Sequence, residues 1–116
     1  MRKNKYKISI ITVVLNGEKS IKKTIDSISS QSHKNVEYIV VDGKSKDKTI
    51  SILRKNKSKI DRLIIEKDKG IYDAMNKGLK YASGDIIGIV NSGDIIYRNT
   101  LKTVNHYFSN YPKIDF

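Results

Sequence analysis

The run Ile8-Ser9-Ile10-Ile11-Thr12-Val13-Val14-Leu15, closed by Asn16-Gly17, decides the fold. It is apolar or β-branched at nearly every position, the pattern of a strand buried on both faces. Three more runs of the same kind follow, at Val36–Val41, Leu63–Ile65 and Ile86–Val90. Between them the apolar spacing changes to that of helices. Ile21, Ile25 and Ile28 form one stripe; Tyr72, Met75, Leu79 and Ala82 form another; Leu101, Val104, Phe108 and Tyr111 form a third. Ile50 and Leu53 mark a helix with a lysine-rich outer face, for which Ser45 is the expected N-cap, with Asp47 in the first turn. Strands of this kind separated by helices predict an α/β fold, a mostly parallel twisted sheet with helices on both faces. Pro112 stands where the last helix should stop, and Ile114-Asp115-Phe116 reads as the start of another strand.

The 116 residues suffice for one domain and are too few for two. No apolar run approaches the ~20 residues of a membrane span, and the basic start, Met1 to Lys7, lacks the cleavage site of a signal peptide. Without cysteine there is no disulfide framework and no thiolate metal site, so the chemistry reads as cytoplasmic. The net charge of +11 raises nucleic acid and anionic membranes as partners. Only four of the 23 basic residues are arginine (Arg2, Arg54, Arg62 and Arg98), and the lysines are scattered rather than clustered. Nucleic-acid surfaces favour the bidentate, stacking guanidinium, so nucleic acid is not an expected partner. Scattered in this way the lysines read first as solvated helix faces, and next as peripheral attraction to the inner face of an anionic membrane.

In an open parallel sheet, ligands bind beyond the carboxyl ends of the strands. Here those ends are Asn16, Asp42-Gly43, Asp68-Lys69-Gly70 and Asn91-Ser92-Gly93-Asp94. Each is an ordinary turn by composition. Four such ends along one sheet edge point to a polyanionic ligand held with a metal. Gly43-Lys44-Ser45 imitates part of a phosphate loop, but the glycine that loop needs five residues earlier is Tyr38. A dinucleotide fold needs a glycine-rich turn after the first strand, and only Gly17 is present. His33 and His106 have no partner pattern and read as turn or surface residues.

Three segments carry a resemblance. Ile8 to Asn16 resembles the opening strand of family 2 glycosyltransferases. Val40-Val-Asp-Gly-Lys-Ser-Lys-Asp-Lys-Thr49 is similar to that family's nucleotide-binding segment, in the variant with one aspartate before glycine. Asp68-Lys-Gly-Ile-Tyr-Asp-Ala-Met-Asn-Lys-Gly78, followed by Ala82-Ser-Gly-Asp85, matches a subgroup that builds cell-surface polysaccharides. The resemblance implies a GT-A fold with a Rossmann-like nucleotide-binding half. It also implies transfer of a sugar, with inversion, from a nucleotide diphosphate sugar to an acceptor hydroxyl on a glycan or lipid-linked carrier.

By the same resemblance, Val13 and Leu15 cradle the nucleoside and Asp42 accepts hydrogen bonds from the base. Lys69, Asp73 and Asn76 face the donor's phosphates and sugar. Asn91 to Asp94 stands at the family's metal motif, where only Asp94 keeps an acid, so Asp94 is the expected ligand of Mg2+ or Mn2+. No catalytic base is assigned, because the family's base lies in a later half. Residues 1–116 therefore read as the donor-binding part of one GT-A domain, cut before the acceptor half. The broken strand at Ile114–Phe116 would leave an edge through which chains self-associate. The rivals from another class are a non-catalytic nucleotide-binding module and a basic nucleic-acid-binding domain. An acid-containing acceptor half beyond Phe116 separates the enzyme from the first, and salt-dependent affinity for nucleic acid would favour the second.

Overall fold

The computed structural model describes residues 5–110. The order is β1 (Ile8–Val14), α1 (Ile21–Ser29), β2 (Val36–Asp42), α2 (Thr49–Lys55), a 3-10 turn (Lys57–Lys59), β3 (Arg62–Ile65), α3 (Ile71–Tyr81), β4 (Ile86–Ile89) and α4 (Thr100–Asn110). The four strands form one sheet in the order β3-β2-β1-β4. Every pairing is parallel, with Ile8 beside Val36 and Ile86, and Ile39 beside Arg62.

The chain thus steps outward from β1 to β2 to β3, then crosses back to the far side of β1. Crossovers keep one hand, so this reversal puts α3 on the face opposite α1 and α2. The core has two layers accordingly. Ile21, Ile25 and Ile28 of α1, Leu53 of α2 and Leu101 of α4 pack on Ile8, Ile10, Val14 and Val40. On the other face Ala74 of α3 packs on Ile11, Val13, Ile39, Val41 and Ile64. The expected α/β sheet with helices on both faces is present. The reversal also creates a switch point between β1 and β4, where such sheets hold ligands.

Several expectations need correction. β1 stops at Val14, and Leu15 is 59% exposed. β2 runs one residue further, through Asp42, while β4 ends one earlier, at Ile89. Ser45 does not cap α2: the Asp47 carboxylate accepts from Thr49 N–H at 2.9 Å, and Ser45 turns inward to Asp42. His33 is buried, with Nε2 2.8 Å from the Tyr6 carbonyl oxygen. The α3 stripe is rotated from the expected one. Tyr72 is 78% exposed and Leu79 41%, while Ala74 and Gly78 are buried. The reason is close approach: a Cβ on Gly78 would lie 2.6 Å from Ile11 Cγ2. The helix meets the sheet through Ala74 and Gly78, with Met75 and Ala82 of the expected stripe packed partly buried beside them, and turns Tyr72 and Leu79 outward.

α3 covers β1 and β2 and leaves β4 bare on that side, so Ile87 and Ile89 are 45% and 44% exposed. β4 is also an edge of the sheet as described. The expected helix end near Tyr111 and the strand at Ile114–Phe116 lie outside the described residues.

Candidate functional site

Two adjoining hollows open at the carboxyl end of β1, one of about 240 Å³ and one of about 340 Å³. Both are lined by Val13, Val14, Leu15 and Ile71. The first adds Asp68 and Gly70 from the β3–α3 loop; the second adds Asn16, Gly17 and Ser20 from the β1–α1 loop and Asn91 and Ser92 after β4. The mouth is apolar on the α3 side and polar on the β4 side. That mixture suits a ligand with one flat apolar end and one anionic end.

The wall of this site is an unusual piece of hydrogen bonding between the loops after β1 and β2. Asp42 is fully buried, and its carboxylate accepts from Ser45 N–H at 2.9 Å and Ser45 Oγ–H at 2.5 Å. Ser45 Oγ in turn accepts from Asn16 N–H at 2.8 Å, and the Asn16 side-chain oxygen accepts from Lys46 N–H. Thr49 Oγ1 accepts from Gly17 N–H at 2.9 Å and donates to Asp47 Oδ1, while Asp47 Oδ2 accepts from Glu18 N–H. Asn16 sits at φ 52, a left-handed conformation that asparagine tolerates better than most residues. The oxygens of Asp42 are turned into the chain and accept from Ser45, so Asp42 shapes the site through that serine.

Burial pushes the Asp47 carboxyl up, but hydrogen bonds from Thr49 Oγ1–H, Thr49 N–H and Glu18 N–H outweigh it and hold it below the ordinary 3.8. With the folded value depressed, this stabilisation is complete above the ordinary value and is lost as pH falls through the lower folded one. The amides of Gly17 and Glu18 should therefore lose exchange protection on acidification below about pH 4, before those of central β1, as hydrogen exchange read by NMR would show.

On the β3 side, Asp68 accepts from Gly70 N–H at 3.0 Å. Its carboxylate lies against Gly43, where an added Cβ would stand 2.6 Å from Oδ2. Gly43→Ala should displace that carboxylate at a cost below about 1 kcal/mol, because the far end of a half-exposed side chain can swing aside. In an Asp68→Ala background the same change should cost much less, a non-additivity readable by urea denaturation. Asp73 closes the start of α3, accepting from Lys69 N–H at 2.9 Å, with Lys77 Nζ 3.7 Å away. The Lys69 and Asn76 side chains are exposed and have no hydrogen bond or ion pair among the described residues. Of the expected residues, then, Val13 and Leu15 line the hollows. Lys69 adjoins them through Gly70, and Asp73 and Asn76 lie further along α3.

After β4, Thr24 of α1 pins the loop, accepting from Gly93 N–H and donating to the Asp94 carbonyl oxygen at 2.7 Å. The Asp94 side chain is exposed, and its carboxylate makes no hydrogen bond or ion pair among the described residues. Asn91 Oδ1 is the one buried side-chain oxygen or nitrogen among the described residues without a hydrogen-bond partner. No cluster of three His, Cys, Asp or Glu is present among those residues. A free carboxylate with a free amide oxygen nearby in the chain fits a hard cation that completes its shell with phosphate oxygens and water.

Asp68, Ile71, Ser20, Asn91 and Ser92 were not singled out as binding residues from the sequence. Asp68, Asn91 and Ser92 are visible as strand ends and Ile71 lies within the Asp68–Gly78 segment, whereas Ser20 carries no signal, because only the fold brings it to the hollow.

The sequence model of the family described as "Glycosyl transferase family 2" matches residues 9–115. A curated relative from Escherichia coli, the UDP-Glc:alpha-D-GlcNAc-diphosphoundecaprenol beta-1,3-glucosyltransferase WfgD, is 39% identical over 84% of this chain and 39% of its own length. An uncharacterized glycosyltransferase of Mycobacterium tuberculosis is 34% identical over 75% of this chain and 34% of its own. Among solved structures, S. aureus TarS 1-349 in complex with UDP-GlcNAc superposes with a TM-score of 0.85 at 29% identity, over 91% of this chain and 32% of that one. The mannosyltransferase PcManGT from Pyrobaculum calidifontis, in complex with GDP-Man and Mn2+, gives 0.81 at 25% identity, over 90% and 32%. The chain thus spans about a third of the length of these relatives.

Proposed function

We propose, from the premise that this chain belongs to glycosyl transferase family 2, that it binds a nucleotide diphosphate sugar at the carboxyl edge of β1 and β4. The observation that carries this reading is the pair of hollows at the switch point, apolar at Leu15 and Ile71 and polar at Asn91 and Ser92. Val13 and Leu15 would pack against the nucleoside, the Lys69 ammonium would approach the diphosphate, and Asp73 and Asn76 would lie toward the sugar. Asp94 and Asn91 Oδ1 would hold Mg2+ or Mn2+. When bound, that cation neutralises charge on the departing nucleoside diphosphate. Transfer of the sugar, with inversion, to the hydroxyl of a glycan or lipid-linked acceptor in cell-surface polysaccharide or glycolipid synthesis would belong to the longer enzyme. An acceptor alcohol needs a base. We assign none here, so the isolated chain should bind donor and transfer no sugar.

No helix among the described residues is long and apolar enough to cross a membrane. The lysine surplus supports peripheral contact at a cytoplasmic membrane face. The bare β4 edge supports self-association of the isolated chain, which sedimentation velocity would reveal.

The binding test is a panel of uridine, guanosine and thymidine diphosphates with and without Mn2+. At a hundred times its dissociation constant, the right nucleotide should add about 2.7 kcal/mol to stability. If none moves the melting temperature of folded protein, the site is misassigned. Asp94→Ala should weaken nucleotide binding in Mn2+ and leave it unchanged in EDTA. Titration calorimetry showing equal loss in both buffers would remove Asp94 from the cation.

A further inference from the structure

We propose that Ser45 and Thr49 are positioning residues for the donor site: they fix the Asn16–Glu18 loop by consuming its backbone donors, so that this loop serves as a wall and offers a phosphate nothing. The proposal rests on the donor-site reading above. A loop joining a strand to the start of a helix ordinarily presents free N–H groups, and these make the usual anion cradle. Here three in succession are occupied: Asn16 N–H by Ser45 Oγ at 2.8 Å, Gly17 N–H by Thr49 Oγ1 at 2.9 Å and Glu18 N–H by Asp47 at 3.2 Å.

The direction of each bond is fixed from behind. Ser45 gives its hydroxyl proton to the Asp42 carboxylate, and Thr49 gives its own to Asp47. A hydroxyl has one proton to donate, so each is left as an acceptor facing the loop. Both hydroxyl residues are buried, Thr49 completely. The loop they hold contributes Asn16 and Gly17 to the larger hollow. Phosphate recognition therefore falls to groups outside this loop, the Lys69 ammonium and, through a bound cation, the Asp94 carboxylate.

Thr49→Val keeps the shape and removes the hydroxyl; Thr49→Ser keeps the hydroxyl. The probe is UDP or GDP with Mn2+, whichever binds the native chain, measured by calorimetry alongside NMR amide exchange. Loss of one such bond should weaken nucleotide affinity about tenfold in Thr49→Val, with the Gly17 amide deprotected. Thr49→Ser should stay within about twofold, because it restores the acceptor. Ser45→Ala should act likewise through the Asn16 amide, and decides the matter if Thr49→Val does not fold. Native affinity in a folded Thr49→Val or Ser45→Ala chain with the amide deprotected would overturn the proposal, as would Thr49→Ser as weak as Thr49→Val. Failure of the native chain to bind either nucleotide would overturn the donor-site reading itself, and this proposal with it.

Discussion

Ile39→Ala should remove about 3–5 kcal/mol of stability and leave a large part of the population unfolded. Ile39 is fully buried in β2, between β1 and β3, in the layer that α3 covers with Ala74. Truncating a buried isoleucine loses its transfer free energy and leaves a cavity, at about 2–5 kcal/mol together. The upper part of that range applies here. The neighbours Ile11, Val41 and Ile64 are strand residues on a hydrogen-bonded frame and cannot collapse into the gap. Domains carry only about 5–15 kcal/mol in total. Ile89→Ala, at a site 44% exposed, should cost well under half as much. Equal shifts of the two urea midpoints would mean that the α3 layer is not packed as described.

The second large effect is at Gly78. By helix propensity alone, alanine in α3 should stabilise by about 1 kcal/mol. The structure reverses the sign: the new Cβ would stand 2.6 Å from Ile11 Cγ2, on a β-branched side chain with no room to swing. Gly78→Ala should cost about 1–3 kcal/mol and Gly78→Val more, each kcal/mol lowering the melting temperature by about 4 °C or more. Ile11→Ala should make Gly78→Ala nearly harmless, because it vacates the contested space. Calorimetric melting of the four chains would show it; a stabilised Gly78→Ala would mean that α3 stands further from the sheet.

These two residues also mark how far the sequence could be read. Ile39 lies in the short β-branched run Tyr38–Val41, whose length and composition favour a strand covered on both faces. The parallel sheet, its helices and its polar carboxyl edge followed from that. Gly78 shows the limit. Spacing assigned the buried face of α3 to Tyr72, Met75, Leu79 and Ala82, because periodicity counts apolarity and is blind to the distance between layers. Where the layers approach to glycine contact, Tyr72 and Leu79 face outward, while Met75 and Ala82 keep a partly buried place beside the core.

The Ser45–Asp42 bonding was hidden for a related reason. An acid at a strand end looks the same in sequence whether it points to a ligand or back into its own loop. Only the position of Ser45 decides. The partnerless Asn91 oxygen and the contribution of Ile71 to the hollow are likewise properties of assembly.

The two margins of the sheet have different prospects. β3 is bracketed by Asp61 and Glu66, and the guanidinium of Arg62 lies 4.2 Å over the Tyr81 ring, so a foreign strand would have to displace charge to dock there. The β4 segment, Ile86-Ile-Gly-Ile-Val90, carries no charge. Among the described residues β4 is therefore the margin with less charge, and solubility engineering has a defined address. Ile87→Lys or Ile89→Lys would screen the open margin with a solvated cation while leaving the hollow at Val13, Leu15 and Ile71 untouched.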